Sequence, residues 1–141
     1  MIIDATNQVL GRLSSIAAKK ALLGEEVIII NCENAVITGN RENILNNYKR
    51  KRSLGTFKGP FYSRMPDRFV RRTIRGMLPY KQSKGRDAFK RIKTFIGVPD
   101  EYKNKINSKE IFKTENADIK KLSSFKFITV NEVCKMLGGK L

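Results

Sequence analysis

The chain has no histidine and no tryptophan, and its 141 residues include two cysteines, Cys32 and Cys134. Each shortage removes a class of chemistry. Ser/His/Asp and Cys/His nucleophile schemes both need an imidazole to accept the proton. Zinc sites of the usual kind draw on His and paired Cys, and no C-x-x-C is present. Acids are also few, 13 Asp+Glu, and scattered, so no carboxylate pair is placed for general acid–base work. No segment approaches the roughly 18 consecutive apolar residues of a membrane span. The opening "MIIDATNQVL" has an acid at position 4 and no basic n-region, unlike a secretory signal. These features predict a cytoplasmic protein with two buried, reduced thiols. They predict no enzyme, no cofactor, no metal, no membrane and no small-molecule substrate.

Glycine is missing where a nucleotide fold would need it. A dinucleotide site requires G-x-G-x-x-G between first strand and first helix, so that backbone can approach the pyrophosphate. Here that turn reads "DATNQVLGR", with one glycine, and no G-x-x-x-x-G-K-[ST] occurs anywhere. Glu33 stands after the second strand, where a ribose-binding acid would stand, but without the glycines it reads as a surface residue or helix cap.

What the chain has in excess is positive charge: 29 Lys+Arg against 13 acids, a net charge of +16, with a pI near 10.2. A compact body with that imbalance repels itself, and a polyanion relieves it. The excess is local. Residues 41–93 hold 17 Lys+Arg and three acids (Glu42, Asp67, Asp87), while the other 88 residues are nearly neutral. An apolar fraction of 40% is enough for a core. At this length a single domain over residues 1–141 is expected, burying roughly two-thirds of its unfolded surface.

The neutral flanks have α/β patterning. "MIID" is a short apolar strand, and Thr6 or Asn7 offers a helix N-cap. Leu10, Leu13, Ala17 and Ala21 recur at helical spacing beside Ile16, with Arg12, Ser15 and Lys19 opposite and Gly24 at the C-cap. "VIIIN" from Val27 is an unbroken β-branched run, suited to a parallel strand buried on both faces. Together they form a right-handed βαβ unit. "AVITG" adds a short strand or turn. A helix is predicted from about Arg41 to Arg52, ending in "YKRKRS", where four successive charges surround the axis. At the other end "FKFITV" reads as a strand, and Asn131 caps a short helix that stops at Gly138–Gly139. Loops are predicted over Ser53–Pro66 and Gly97–Lys109.

The central stretch carries the informative pattern. After Pro66, with Asp67 as cap, Arg68, Arg71, Arg72 and Arg75 fall at i, i+3, i+4 and i+7. Phe69, Thr73 and Met77, with Val70 and Ile74 beside them, take the opposite side. Like charges at i,i+4 each cost about 0.2–0.5 kcal/mol, and a helix needing only solubility alternates signs. All four are arginine, whose planar fork suits bidentate phosphate contacts. Gly76 and Pro79 end the helix, and Met77–Leu78 form an apolar plug. "YKQSKGR" reads as a loop offering the Ser83 and Gly85 backbone beside Lys81, Lys84 and Arg86. "RDAFKRI" then turns Ala88, Phe89 and Ile92 inward and Lys90 and Arg91 outward. Upstream, Arg41, Lys49, Arg50, Lys51 and Arg52 belong to the helix, and Lys58 and Arg64 to the loop. Phe57, Phe61, Tyr62 and Tyr80 are interleaved with these cations, as rings that either stack splayed RNA bases or staple the loops.

The pieces "IIDATNQVLGRLSSIAAK", "GEEVIIINCENAVITGN", "KGPFYSRMPDR", "RTIRGMLPYK" and "KGRDAFKRIKTFIGVP" resemble the large-subunit ribosomal protein L-thirteen family in its archaeal form, over residues 2 to about 103. The resemblance implies an α/β fold, a four-stranded, mostly parallel sheet between helical layers. It implies a structural constituent of the large ribosomal subunit that binds 23S-type rRNA beside neighbouring large-subunit proteins. Arg12, Arg68, Arg71, Arg72, Arg75, Lys81, Gly85 and Arg86 fall in its RNA-facing blocks. Two other readings stay open on the residues alone: a DNA-binding or chromatin-type basic protein, and an RNA-modifying enzyme using the βαβ unit for a cofactor.

Overall fold

The computed structural model describes residues 1–59, 61–107, 111–112, 117–121 and 126–140. β1 (Ile2–Asp4), α1 (Leu10–Leu22) and β2 (Val27–Ile30) form the expected βαβ unit, with β1 and β2 parallel and Ile3 opposite Ile29. β3 (Val36–Thr38) follows, then three basic helices: α2 (Arg41–Ser53), α3 (Pro66–Gly76) and α4 (Ser83–Lys90). β4 (Ile92–Thr94) returns to the sheet, parallel to β2. Beyond it lie α5 (Asp100–Asn107), β5 (Ile111–Phe112), β6 (Phe127–Thr129) and α6 (Val130–Met136).

The expected four-stranded sheet is cut back to three strands and a two-residue edge. Three parallel strands, β4-β2-β1, form the body of the sheet, and the place beyond β1 is taken by the two residues of β5. β3 joins none of them. It pairs antiparallel with β6, Ile37 opposite Ile128, and this separate ribbon ties the C-terminal segment to the body.

Strand alternation puts Ile3, Val27, Ile29 and Ile92 on one face, and all four are fully buried in the common core. α3 and α4 both pack on α1, as two successive right-handed crossovers in one direction require. β5 lies at the edge of the sheet away from β4, and the other face of the sheet carries Ile2, Ile28, Ile30 and Lys93. There Ile2 and Ile30 are buried, Ile28 is half-buried and Lys93 is exposed. The sheet is thus less evenly covered than its unbroken apolar runs imply. Val130, Val133, Cys134 and Leu137 of the α6 segment enter the same core.

Several local expectations gave way to geometry. Thr6 and Asn7 do not cap α1, which starts after Val9 without a side-chain cap. Thr6 instead donates from both its N–H and its hydroxyl to Asp4 Oδ1. Asp67 lies inside the first turn of α3, Pro66 having taken the first helical position after Met65. The cap of α6 is Thr129, whose Oγ1 accepts from the Glu132 N–H, rather than Asn131. The stretch read as a loop from Gly97 holds α5, whose first turn has the acids Asp100 and Glu101 that favour a helix start; residues 108 and 109 of that stretch lie outside the described residues, as do Pro60 and Phe125. The 80–86 stretch is not a loop throughout, because α4 begins at Ser83. Gly85 is buried there against the Pro79 carbonyl, where any Cβ would collide with backbone. Ile92 opens β4 instead of closing the helix.

Candidate nucleic-acid interface

The helical stripe on α3 forms as spaced. Phe69, Val70 and Ile74 are buried, while Arg68, Arg72 and Arg75 are exposed and Arg71 is half-buried. Thr73 returns its hydroxyl to the Phe69 carbonyl at 3.1 Å, and Met77 is exposed, leaving Leu78 alone as the plug. The four guanidiniums line one groove of about 210 Å³ together with Phe61, Ser63 and Phe89. Among the described residues none of the four is paired with a carboxylate within 4.0 Å.

Aromatic rings hold these cations. Arg71 lies 4.6 Å from the Phe89 ring centre, Arg72 4.2 Å from Tyr62, and Arg75 5.2 Å from Tyr80. On α2, Lys51 lies 4.9 Å from Tyr48. Each such contact is worth about 0.5–1 kcal/mol at an exposed site. Tyr48, Tyr62 and Phe69 form a triangle with ring centres 5.0–5.7 Å apart. The contacts therefore run without a break from Lys51 through Tyr48 and Tyr62 to Arg72. They continue along α3 and cross to α4 through Arg71 and Phe89. Burial pushes the Tyr62 phenol up to about 12, reinforced by Tyr48 and opposed by the Arg72 guanidinium. Burial also raises Tyr48. Both rings are neutral at physiological pH and keep the electron-rich face a cation needs.

Lys81, Lys84, Arg86 and Lys90 are exposed on the turn and helix next to this strip, Lys90 with Asp87 at 3.5 Å. Lys49, Arg50 and Lys58 are exposed on α2 and the following loop, and Arg12 on α1. Phe57 is fully exposed and Phe61 is 63% exposed, whereas Tyr62 is a staple between α2 and α3.

Four of the sequence-selected cations serve the protein itself. Arg41 pairs with Glu132 at 3.2 Å. The Arg52 guanidinium donates to the Leu137 carbonyl, and Arg64 Nη1 donates to the Gly138 carbonyl at 3.2 Å. Arg91, expected to face solvent, is half-buried and donates to the Ala21 carbonyl at 3.3 Å, at the end of α1. Cations at helix ends satisfy carbonyls that lack a partner within the helix and complement the dipole. Gly85 contributes close packing instead of the open backbone amide expected of it. No local signal marks these uses, because the acceptors lie far away in sequence.

The β1–α1 turn is hydrogen-bonded to other parts of the chain. In the β1–α1 turn, Val9 N–H donates to Ala117 O at 2.7 Å, Asn7 O accepts from Ile119 N–H at 3.0 Å, and Asn7 N–H donates to Asn34 O at 3.2 Å. Asp4 Oδ1 accepts from Asn31 as well as from Thr6. Glu33, read as a possible ribose ligand, accepts the Gly97 N–H on both carboxylate oxygens at 3.1 Å. Cys32 and Cys134 are free, buried thiols, each pushed up to about 12 by burial.

The sequence model described as Ribosomal protein L13 matches residues 1–101. The chain is 44% identical over 140 residues to large ribosomal subunit protein uL13 of Methanococcoides burtonii, covering 99% of this chain and 98% of the relative. It is 45% identical over 139 residues to the uL13 of Archaeoglobus fulgidus, covering 97% and 86%. The uL13 of Natronomonas pharaonis is 38% identical over 141 residues, covering 100% and 92%. The similarity thus extends past residue 103, through the segment that the β3–β6 ribbon ties down.

Proposed function

This chain belongs to the ribosomal protein L13 family, and we propose that it works as a structural constituent of the large ribosomal subunit, binding large-subunit rRNA through the strip centred on α3. The observation that carries the reading is the groove in which Arg68, Arg71, Arg72 and Arg75 stand together with no carboxylate partner among the described residues. Four cations held side by side repel one another until phosphates lie between them. Rings that fix three of the four reduce the side-chain freedom lost on binding.

The mechanism is electrostatic and architectural. Phosphates from crowded RNA helices displace counterions along the strip, and the neutral α/β body fixes the directions from which they approach. With roughly eight phosphates contacted, log affinity falls with log salt at a slope of about −6. The role is structural rather than catalytic. It is exercised in the cytoplasm, against rRNA and the proteins adjoining it.

The test is Arg68→Glu with Arg75→Glu, both exposed positions. The double variant should lose at least tenfold in affinity for a large-subunit rRNA transcript in filter binding. Its salt slope should shrink by about 2, and its Tm should stay within a few degrees. Wild-type affinity in moderate salt refutes the reading. In the same assay, duplex DNA that competes as well as the transcript favours the DNA-binding alternative.

A further inference from the structure

The groove along α3 has two kinds of wall, guanidinium and phenyl, and the phenyl wall is unevenly used. Phe89 lies under Arg71, and the neighbouring rings Tyr62 and Tyr80 lie under Arg72 and Arg75. Phe61 lines the same groove with no cation over it among the described residues and is 63% exposed. Arg71, half-buried in the same lining, has its Nε buried with no hydrogen-bond partner among the described residues.

At about 210 Å³ the groove is smaller than the roughly 300–1,000 Å³ of sites that enclose whole small molecules. It suits one unit of a longer polymer. From these features we infer that the groove takes a single unpaired nucleotide of the bound RNA, with its base stacked on Phe61 and its phosphate among the α3 guanidiniums. A base inside a duplex has both faces covered by its neighbours. Only a bulged or looped-out base presents a face to a ring. This inference rests on the RNA-binding function proposed above and adds to it a structural selectivity, for unpaired over paired RNA.

The experiment compares two RNA duplexes of the same sequence, one fully paired and one with a single bulged uridine, at one fixed salt concentration. Wild-type protein should bind the bulged duplex about tenfold more tightly, the scale of one base stacked on one ring. Phe61→Ala should lose that preference while its affinity for the paired duplex stays within twofold. The ring is exposed, and an unchanged Tm confirms that the variant folds. Phe61→Trp should keep the preference, and so should Phe57→Ala, whose ring lies outside the groove. Equal wild-type binding to both duplexes overturns the inference, as does a preference that survives Phe61→Ala. Loss of the preference in Phe57→Ala but not in Phe61→Ala overturns it too. Wild-type protein that binds neither duplex nor the rRNA transcript takes down the broader RNA-binding function as well, a result distinct from the loss of selectivity alone.

Discussion

α2 and α3 are both strongly basic, and they use their charge differently. In α2 the cations Lys49 to Arg52 are consecutive, at 100° intervals around the axis, and no residue of the helix is fully buried. Its charge points in every direction, and two of its arginines, Arg41 and Arg52, are spent on α6. In α3 the same number of cations, all of them arginine, recurs at i, i+3, i+4 and i+7 over a buried apolar side, and all four reach one groove. Spacing, more than the number of charges, separates a helix that is merely basic from one that presents a patch. α2 nevertheless joins the strip through Tyr48, which meets both Tyr62 and Phe69.

The largest effect should come from removing what the two helices share. Phe69 is fully buried and anchors both tyrosines. Phe69→Ala should cost about 3–5 kcal/mol in urea unfolding. A loss below 1 kcal/mol would mean that the two helices do not depend on a common joint.

Alkali should open the same layer next. Burial raises Cys32, Cys134 and Tyr62 to about 12, from ordinary values of 9.0, 9.0 and 10.0. The folded state therefore keeps protons that the unfolded chain releases. This stabilisation is complete below about pH 9 and is lost as pH rises towards 12. The limiting slope is about 1.4 kcal/mol per pH unit for each group, less for the partly exposed Tyr62. Urea titrations at pH 8, 10 and 11 should show the decline. Equal midpoints at all three would contradict the buried, protonated thiols.

A smaller loss, about 1 kcal/mol per contact, is expected for Arg52→Ala with Arg64→Ala. Amide exchange should accelerate in α6 but not in α1, and uniform acceleration would show that these arginines do not act locally. The smallest effect should follow Lys49→Glu with Lys51→Glu. It changes charge as much as the α3 double variant yet should weaken rRNA binding several-fold less. Equal losses would erase the distinction between the two helices.

The legible parts were those in which one element carries its own signal. β1, α1 and β2 followed from apolar runs and helical spacing. α3 followed from a stripe of arginines set against Phe69, Val70 and Ile74. α5 was missed because its signals, Pro99 followed by two acids, were weaker than the polar composition around them. The caps were misplaced because Thr6, Asp67 and Asn131 are each adequate caps by type, and turn geometry chose among near neighbours. The roles of Arg41, Arg52, Arg64 and Arg91 were illegible, since their acceptors lie 70 to 91 positions away.

By itself, the sequence determined a basic middle on a nearly neutral α/β frame, because charge and periodicity belong to residues and their immediate neighbours. Only the tertiary structure decided which cations stand free over rings, which are consumed at helix ends, and which ring is left bare. Those outcomes depend on through-space contacts between distant segments, and local spacing has no term for them.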